Sequence, residues 1–132
     1  ATINLFAGGI QLLSAEHPYE KWANFPLAQK RFFEILTKYS IQTPIYLSGD
    51  RHIAEASSQE IKPNYWIYDI TSSGLTHSYD SLEEEPNQYR ISPLLTMLNF
   101  GKIEINWETS ELQAQIINVD GIPQFIQKIP FE

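Results

Sequence analysis

The chain has 132 residues, a net charge of −7 and no cysteine. The length fits one domain with one sizeable core, and the acidic balance argues against nucleic acid as a partner, since no basic stripe is present to take phosphates. The lack of cysteine excludes disulfides and thiolate chemistry; no apolar run is long enough to span a bilayer, and the aromatic-rich composition argues against disorder.

Residues 2–6 and 10–13 read as two extended pieces split by Gly8-Gly9. Residues 14–24 are polar and aromatic, with Pro18 inside, and are expected as a long loop with one helical turn, of the kind that walls a binding site. Asn24-Phe25-Pro26 opens the strongest helix: Asn24 or Phe25 caps it and Pro26 suits its first turn. Ala28, Phe32, Ile35, Leu36 and Tyr39 then repeat at helical spacing. Residues 45–47 are a short buried strand, and helix followed by buried strand is an α/β arrangement. Residues 53–58 are expected to form a short helical stretch.

Pro63-Asn64 marks a turn, and residues 65–71 (Tyr-Trp-Ile-Tyr-Asp-Ile-Thr) are a strand by their β-branched and aromatic content. A small-residue loop, 72–78, carries His77. Residues 81–87, with the run Glu83-Glu84-Glu85, are expected as a mobile, solvated loop. Residues 99–107, 112–119 and 124–129 read as strands, with a turn at 108–110 and a hairpin signal at Asp120-Gly121. The final third is therefore an antiparallel meander, and neither a repeat nor a linker divides residues 1–132. A first residue other than Met, followed at once by a strand-like run, is what a piece of a longer protein would show.

The chemistry concentrates at Ser48-Gly49-Asp50-Arg51-His52. Open α/β sheets bind ligands at the carboxyl ends of their strands. Asp50 and His52 leave such an end two residues apart, as a carboxylate and an imidazole. Hard and borderline metals take both donors, and paired-metal phosphoesterases use them. The competing reading stands level with it: Asp50 caps the following turn and His52 bonds a backbone carbonyl. Arg51, sent to the opposite side by strand alternation, is expected to brace the sheet or pair with an acid such as Glu55.

His77 could contact a phosphate or act as a general acid, or be an exposed loop histidine. Ser72 and Ser73 lack the surroundings of a serine nucleophile and are expected to bond loop backbone or a substrate oxygen. His17 and Trp22 are by default a surface histidine and a half-buried tryptophan; with Tyr19 beside them they could form a pocket wall. Neither a phosphate-cradling nor a dinucleotide-type glycine loop is present, which removes nucleotide-cofactor readings.

Three segments together resemble the alkaline phosphatase D (PhoD-like) family of calcineurin-like metallophosphoesterases. They are Gly9-Ile10-Gln11 leading to Glu20-Lys21-Trp22-Ala23-Asn24-Phe25-Pro26, then Ser48-Gly49-Asp50-Arg51-His52, then Thr71-Ser72-Ser73-Gly74-Leu75-Thr76-His77. Their order and spacing run over almost the whole chain. The resemblance implies half of a four-layer αββα sandwich, an α/β (α+β) fold whose mixed sheet ends in an antiparallel meander. It also implies hydrolysis of phosphate mono- or diesters by metal-activated water, with divalent or trivalent ions in a two-metal centre. By the same resemblance Asp50 and His52 are metal ligands, and His77 and Ser73, with the wall residues Trp22 and His17, lie on the substrate side.

The departures are as informative. The family's early Asp-x-His/Asn motif, its separate Gly-Asp motif and its Gly-Asn-His-Asp/Glu motif have no counterpart here. The chain resembles only the C-terminal part of such an enzyme. It is expected to be inactive alone, and to pair with a second copy or with the missing N-terminal half. The rival expectation is a non-catalytic domain of the same fold that acts as an interaction module.

Overall fold

A computed structural model describes all residues, Ala1–Glu132. Its elements are β1 (Asn4–Ala7), a single 3₁₀ turn (Trp22–Asn24), α1 (Pro26–Lys38), β2 (Pro44–Ser48), β3 (Ala54–Lys62), β4 (Tyr65–Ser72), β5 (Asn99–Asn106), β6 (Glu111–Asn118) and β7 (Pro123–Pro130). The fold is α+β with two sheets. The first is mixed, in the order β1-β2-β4-β3, with β1, β2 and β4 parallel and β3 antiparallel to β4. The second is the antiparallel meander β5-β6-β7.

Strand alternation divides the mixed sheet into two faces. Ile45, Ala56 and Ile70 project to one side and meet Leu112, Ala114 and Ile129 of the second sheet. Tyr46 and Ile67 project to the other and meet Leu36, Leu12 and Leu13, with Phe32 and Phe33 packed around them. Helix, mixed sheet and meander are thus three stacked layers. α1 starts with Phe25 at its cap position and Pro26 in its first turn, where a missing N–H costs nothing. It buries only Leu36 fully, because it covers just the lower half of its sheet face.

The upper half of that face is polar. β2 and β4 pair Tyr46 with Asp69 and Ser48 with Thr71; β3 pairs Glu55 with Thr71 and Ser57 with Asp69. Glu55, Asp69, Thr71, Ser48 and Ser57 are all buried. What covers them is the loop after β1: the Asp69 carboxylate accepts the N–H groups of Leu12 and Leu13 at 2.7 and 3.0 Å and the Ser48 hydroxyl at 2.7 Å.

Several expectations need correction. Residues 53–58 are not helical: they enter β3, whose buried Ala54, Ala56 and Ser57 suit a strand with both faces covered. Residues 10–13 form no second strand, only a bridge from Gln11 to Lys21, because Asp69 takes the next two amides. The 81–87 segment is not simply a solvated loop, since Glu85 turns inward and is buried. The turn at Pro63-Asn64, the strand after it and the three-stranded meander stand as expected.

Gly8 is fixed by a close approach: a Cβ there would overlap the hydroxyl of Tyr46. That hydroxyl accepts a hydrogen bond from the Trp22 indole N–H at 3.0 Å. Gly8→Ala is therefore expected to destabilise the chain by about 1–3 kcal/mol through overpacking, with part of the loss recovered in Gly8→Ala/Tyr46→Phe. Urea unfolding of both variants measures this.

Candidate functional site

The carboxyl ends of β2 and β4 and the loop after β1 meet at one rim, and the strand-end segment 49–52 runs along it. Asp50 and His52 both occupy the left-handed backbone region, with φ of 67° and 54°. This region is unfavourable for residues with a Cβ. The Arg51 N–H donates to the Gly49 carbonyl at 2.8 Å, closing a tight three-residue turn centred on Asp50. The twist sends Arg51 inward, 5% exposed, and leaves Asp50 and His52 exposed on either side of it. The opposed orientation expected from sequence is present, although a turn and not a continued strand produces it.

Arg51 is the hub of the buried face. Its guanidinium donates to both oxygens of Glu85, at 2.9 and 2.8 Å, and to Gln11 Oε1 at 3.1 Å. It also lies over the Tyr19 ring, 4.8 Å from the centroid. Gln11 Nε2 donates onward to Glu55 Oε1 at 2.7 Å and to Thr71 Oγ1 at 2.8 Å. The other Glu55 oxygen accepts from Arg90 Nε at 2.6 Å. Arg51 thus pairs with Glu85, while Glu55, its expected partner, is held by Arg90.

His52 and His77 come together. Their rings stack with centroids 6.1 Å apart and planes at 29°. The Tyr79 N–H donates to the His52 carbonyl at 2.8 Å, and His77 Nδ1 sits 2.9 Å from the Thr76 hydroxyl. Tyr79 and Tyr19 bring their hydroxyls within 3.4 Å of each other. Ser73 donates its hydroxyl to the Ile53 carbonyl at 3.1 Å, and Ser72 to Asn99 Oδ1 at 2.9 Å. Ser73 thus bonds backbone, one of the two partners expected of it, while Ser72 bonds a side chain of β5 instead.

Of the two wall residues, Trp22 is half-buried, as expected of it by default, and packs on Phe32 and Tyr46 in the aromatic core around α1. His17 is not a surface residue but 2% exposed. Its Nδ1 accepts the Tyr19 N–H at 3.2 Å, while Nε2 has no protein partner. Burial first, then the Arg51 charge, lower its pKa from 6.5 to about 4, so the ring is neutral near pH 7. Asp69 moves the other way: burial raises it from 3.8 to about 6, against the pull of the Leu13, Ser48 and Leu12 donors.

No group of three or more His, Cys, Asp or Glu side chains is disposed to hold a metal ion. Asp50, His52 and His77 do not converge into the three-ligand set of a catalytic zinc. Asp69 and Glu85 escaped the sequence reading as members of this region, whereas Glu55 entered it as an expected partner of Arg51 and Gln11 within a resembling segment. The signal for Asp69 was available, as a carboxylate inside an otherwise apolar strand.

Breaking the central pair has a definite expected cost. Arg51→Met or Glu85→Gln alone strands a buried partner and should lower stability by about 3–5 kcal/mol. The double variant should lose less than the two single losses together, as a double-mutant cycle in urea would register. His17 and Asp69 predict opposite pH slopes. The lowered His17 pKa gives stability that is present above pH 6.5 and lost as pH falls toward 4. The raised Asp69 pKa gives stability that is present below 3.8 and lost as pH rises through 6. Relative to the parent chain, His17→Gln should lose the first slope and Asp69→Asn the second, each about 3 kcal/mol in full. Unfolding midpoints between pH 4 and 7 would show both.

No family model matches the chain and no curated protein matches it, so the functional reading rests on these residues and their geometry.

Proposed function

We propose that this chain carries one rim of a phosphate-ester hydrolase site of the PhoD-like metallophosphoesterase type, and that it is catalytically incomplete by itself. The observation that carries the reading is the strand-end turn. Asp50 and His52 are both held in a strained backbone region beside a buried Arg51, and His52 stacks on His77. Such strain concentrates at functional sites, where surrounding structure over-determines it.

The three-layer α-β-β stack supports the same reading, as three of the four layers of an αββα sandwich. So does the position of the turn at the carboxyl edge of parallel strands, where such sheets carry ligands. The donors beyond Asp50 and His52 are to be supplied by another polypeptide segment. The substrate class is a phosphate mono- or diester.

The pure chain is expected to hydrolyse p-nitrophenyl phosphate and its bis-ester no faster than buffer with Mn²⁺, Zn²⁺, Ca²⁺ or Fe³⁺ added. Metal-dependent turnover that disappears in Asp50→Asn would show the site to be complete and overturn the incompleteness. The family reading has its own test. The coding sequence upstream should carry an in-frame Gly-Asn-His-Asp or Gly-Asn-His-Glu motif; a start codon directly before that of Ala1, with no such motif upstream, would sink it.

A further inference from the structure

Residues 73–98, between β4 and β5, are the longest stretch of the chain without a helix or strand. A loop of that length in a compact domain usually has a function of its own. Its second half is tied down along β3. Asn87 bonds Ser57 Oγ at 2.9 Å, Arg90 bonds Glu55 at 2.6 Å, and Leu95 exchanges backbone bonds with Ala54 at 2.8 and 2.9 Å. Residues 83–86 are held differently. Their only hydrogen bonds are those of the Glu85 carboxylate to Arg51, and Glu83, Glu84 and Pro86 stand exposed around it. One buried acid plugs inward from a segment that is otherwise unattached.

The socket is built without that acid. The Arg51 guanidinium lies on the Tyr19 ring, 4.8 Å from the centroid, and donates to Gln11 Oε1 at 3.1 Å. Neither contact involves residues 83–86. The fork offers its N–H groups to a pair of oxygens, which suits a carboxylate and a phosphoryl group alike.

Tyr19 gathers two further donors. His17 accepts the Tyr19 N–H at Nδ1, so the proton of the neutral ring is on Nε2. That N–H has no partner, on a residue 2% exposed. Lys21 donates to the Tyr19 carbonyl at 3.1 Å and to Asn24 Oδ1 at 2.9 Å. It is 8% exposed and has no carboxylate within ion-pair distance, although lysine is rarely so buried unless paired. The charges of Arg51, Glu85 and Lys21 all reach the His17 ring. Glu16, the other acid whose charge reaches it, is exposed and bonds the Ala15 and Gln88 N–H groups. The cluster thus holds two cations and an idle N–H against the one buried carboxylate of Glu85.

Losing Glu85 with nothing in its place would strand a buried arginine, at a high cost. An arriving oxyanion removes that cost, because it pairs with Arg51 as the acid leaves. We infer that the Arg51 fork is an oxyanion-binding site with Glu85 as its built-in occupant. A phosphoryl or carboxylate group of a small ligand exchanges for the Glu85 carboxylate, takes up the spare donors of His17 and Lys21, and releases residues 83–86 outward. The exchange uses no metal ion and is independent of the reading of Asp50 and His52.

The test titrates the full chain with sodium phosphate or sodium acetate, in EDTA and against sodium chloride at equal ionic strength. The amide NMR signals of Glu83, Glu84 and Glu85 should shift saturably with at least one oxyanion and not with chloride. Cleavage after these residues by a glutamate-specific protease should quicken over the same concentrations. A response to phosphate alone assigns a phosphoryl ligand, to acetate alone a carboxylate, and to both the chemistry they share. Glu85→Asp shortens the plug, and should raise the apparent affinity at least roughly tenfold as the fraction of chains with a free fork grows. Lys21→Gln should lower the affinity. Thermal melts without added oxyanion check that each variant folds; should Glu85→Asp not fold, the parent chain and Lys21→Gln decide. The inference is overturned by a parent chain that gives no saturable response, or by an affinity that neither substitution moves. Binding that leaves residues 83–85 and their cleavage unchanged also overturns it, since the anion then sits elsewhere.

Discussion

Arg51 and Glu85 meet in a two-pronged ion pair inside the protein, with both side chains almost fully buried. The segment ending β2, the loop after β1, β3 and the acidic loop all converge on this pair, through Gln11, Glu55 and Tyr19. Because the guanidinium is drawn inward, the backbone on either side must turn outward, and two residues take up left-handed conformations to let it do so. The exposed carboxylate and imidazole are thus a product of what lies beneath them.

This arrangement is a poor way to gain stability. A buried ion pair costs much of its attraction in lost hydration, and an apolar replacement of equal volume often does as well or better. Fixing one geometry is a more fitting role. The planar fork of Arg51 reads the two oxygens of Glu85 in one orientation, and Gln11 must accept from Arg51 while donating to Glu55 and Thr71. Slipping any one of these elements would leave several buried groups unmatched. The lower half of the same sheet face, closed by aliphatic and aromatic side chains, has no comparable selectivity of position.

Much of the sheet framework was legible in the residues. Tyr-Trp-Ile-Tyr-Asp-Ile-Thr could only be a strand, the helix announced itself by Pro26 and its spacing, and Asp120-Gly121 gave away the last hairpin. Ala54-Glu55-Ala56-Ser57-Ser58 was misread because small residues suit a helix locally. Its strand character comes from β4 on one side and residues 89–95 on the other, which are long-range partners that no local pattern encodes. Glu85 was misread for a related reason: a run of three acids looks solvated until a cation 34 positions away claims one of them. At the site, the strand-end motif and the approach of His77 to it were legible. The burial of His17 was not, because it depends on how a long loop folds back over the sheet.

The capture of the Leu12 and Leu13 amides by Asp69 has a consequence for the order in which the molecule assembles. These bonds span 57 and 56 positions of sequence, and the Gln11 contact with Thr71 spans 60. The β3–β4 hairpin and the meander close over short turns and bear little loop entropy. The hairpins can form without the first loop, and Asp69, Glu55 and Thr71 stay wet in any state in which that loop has not docked.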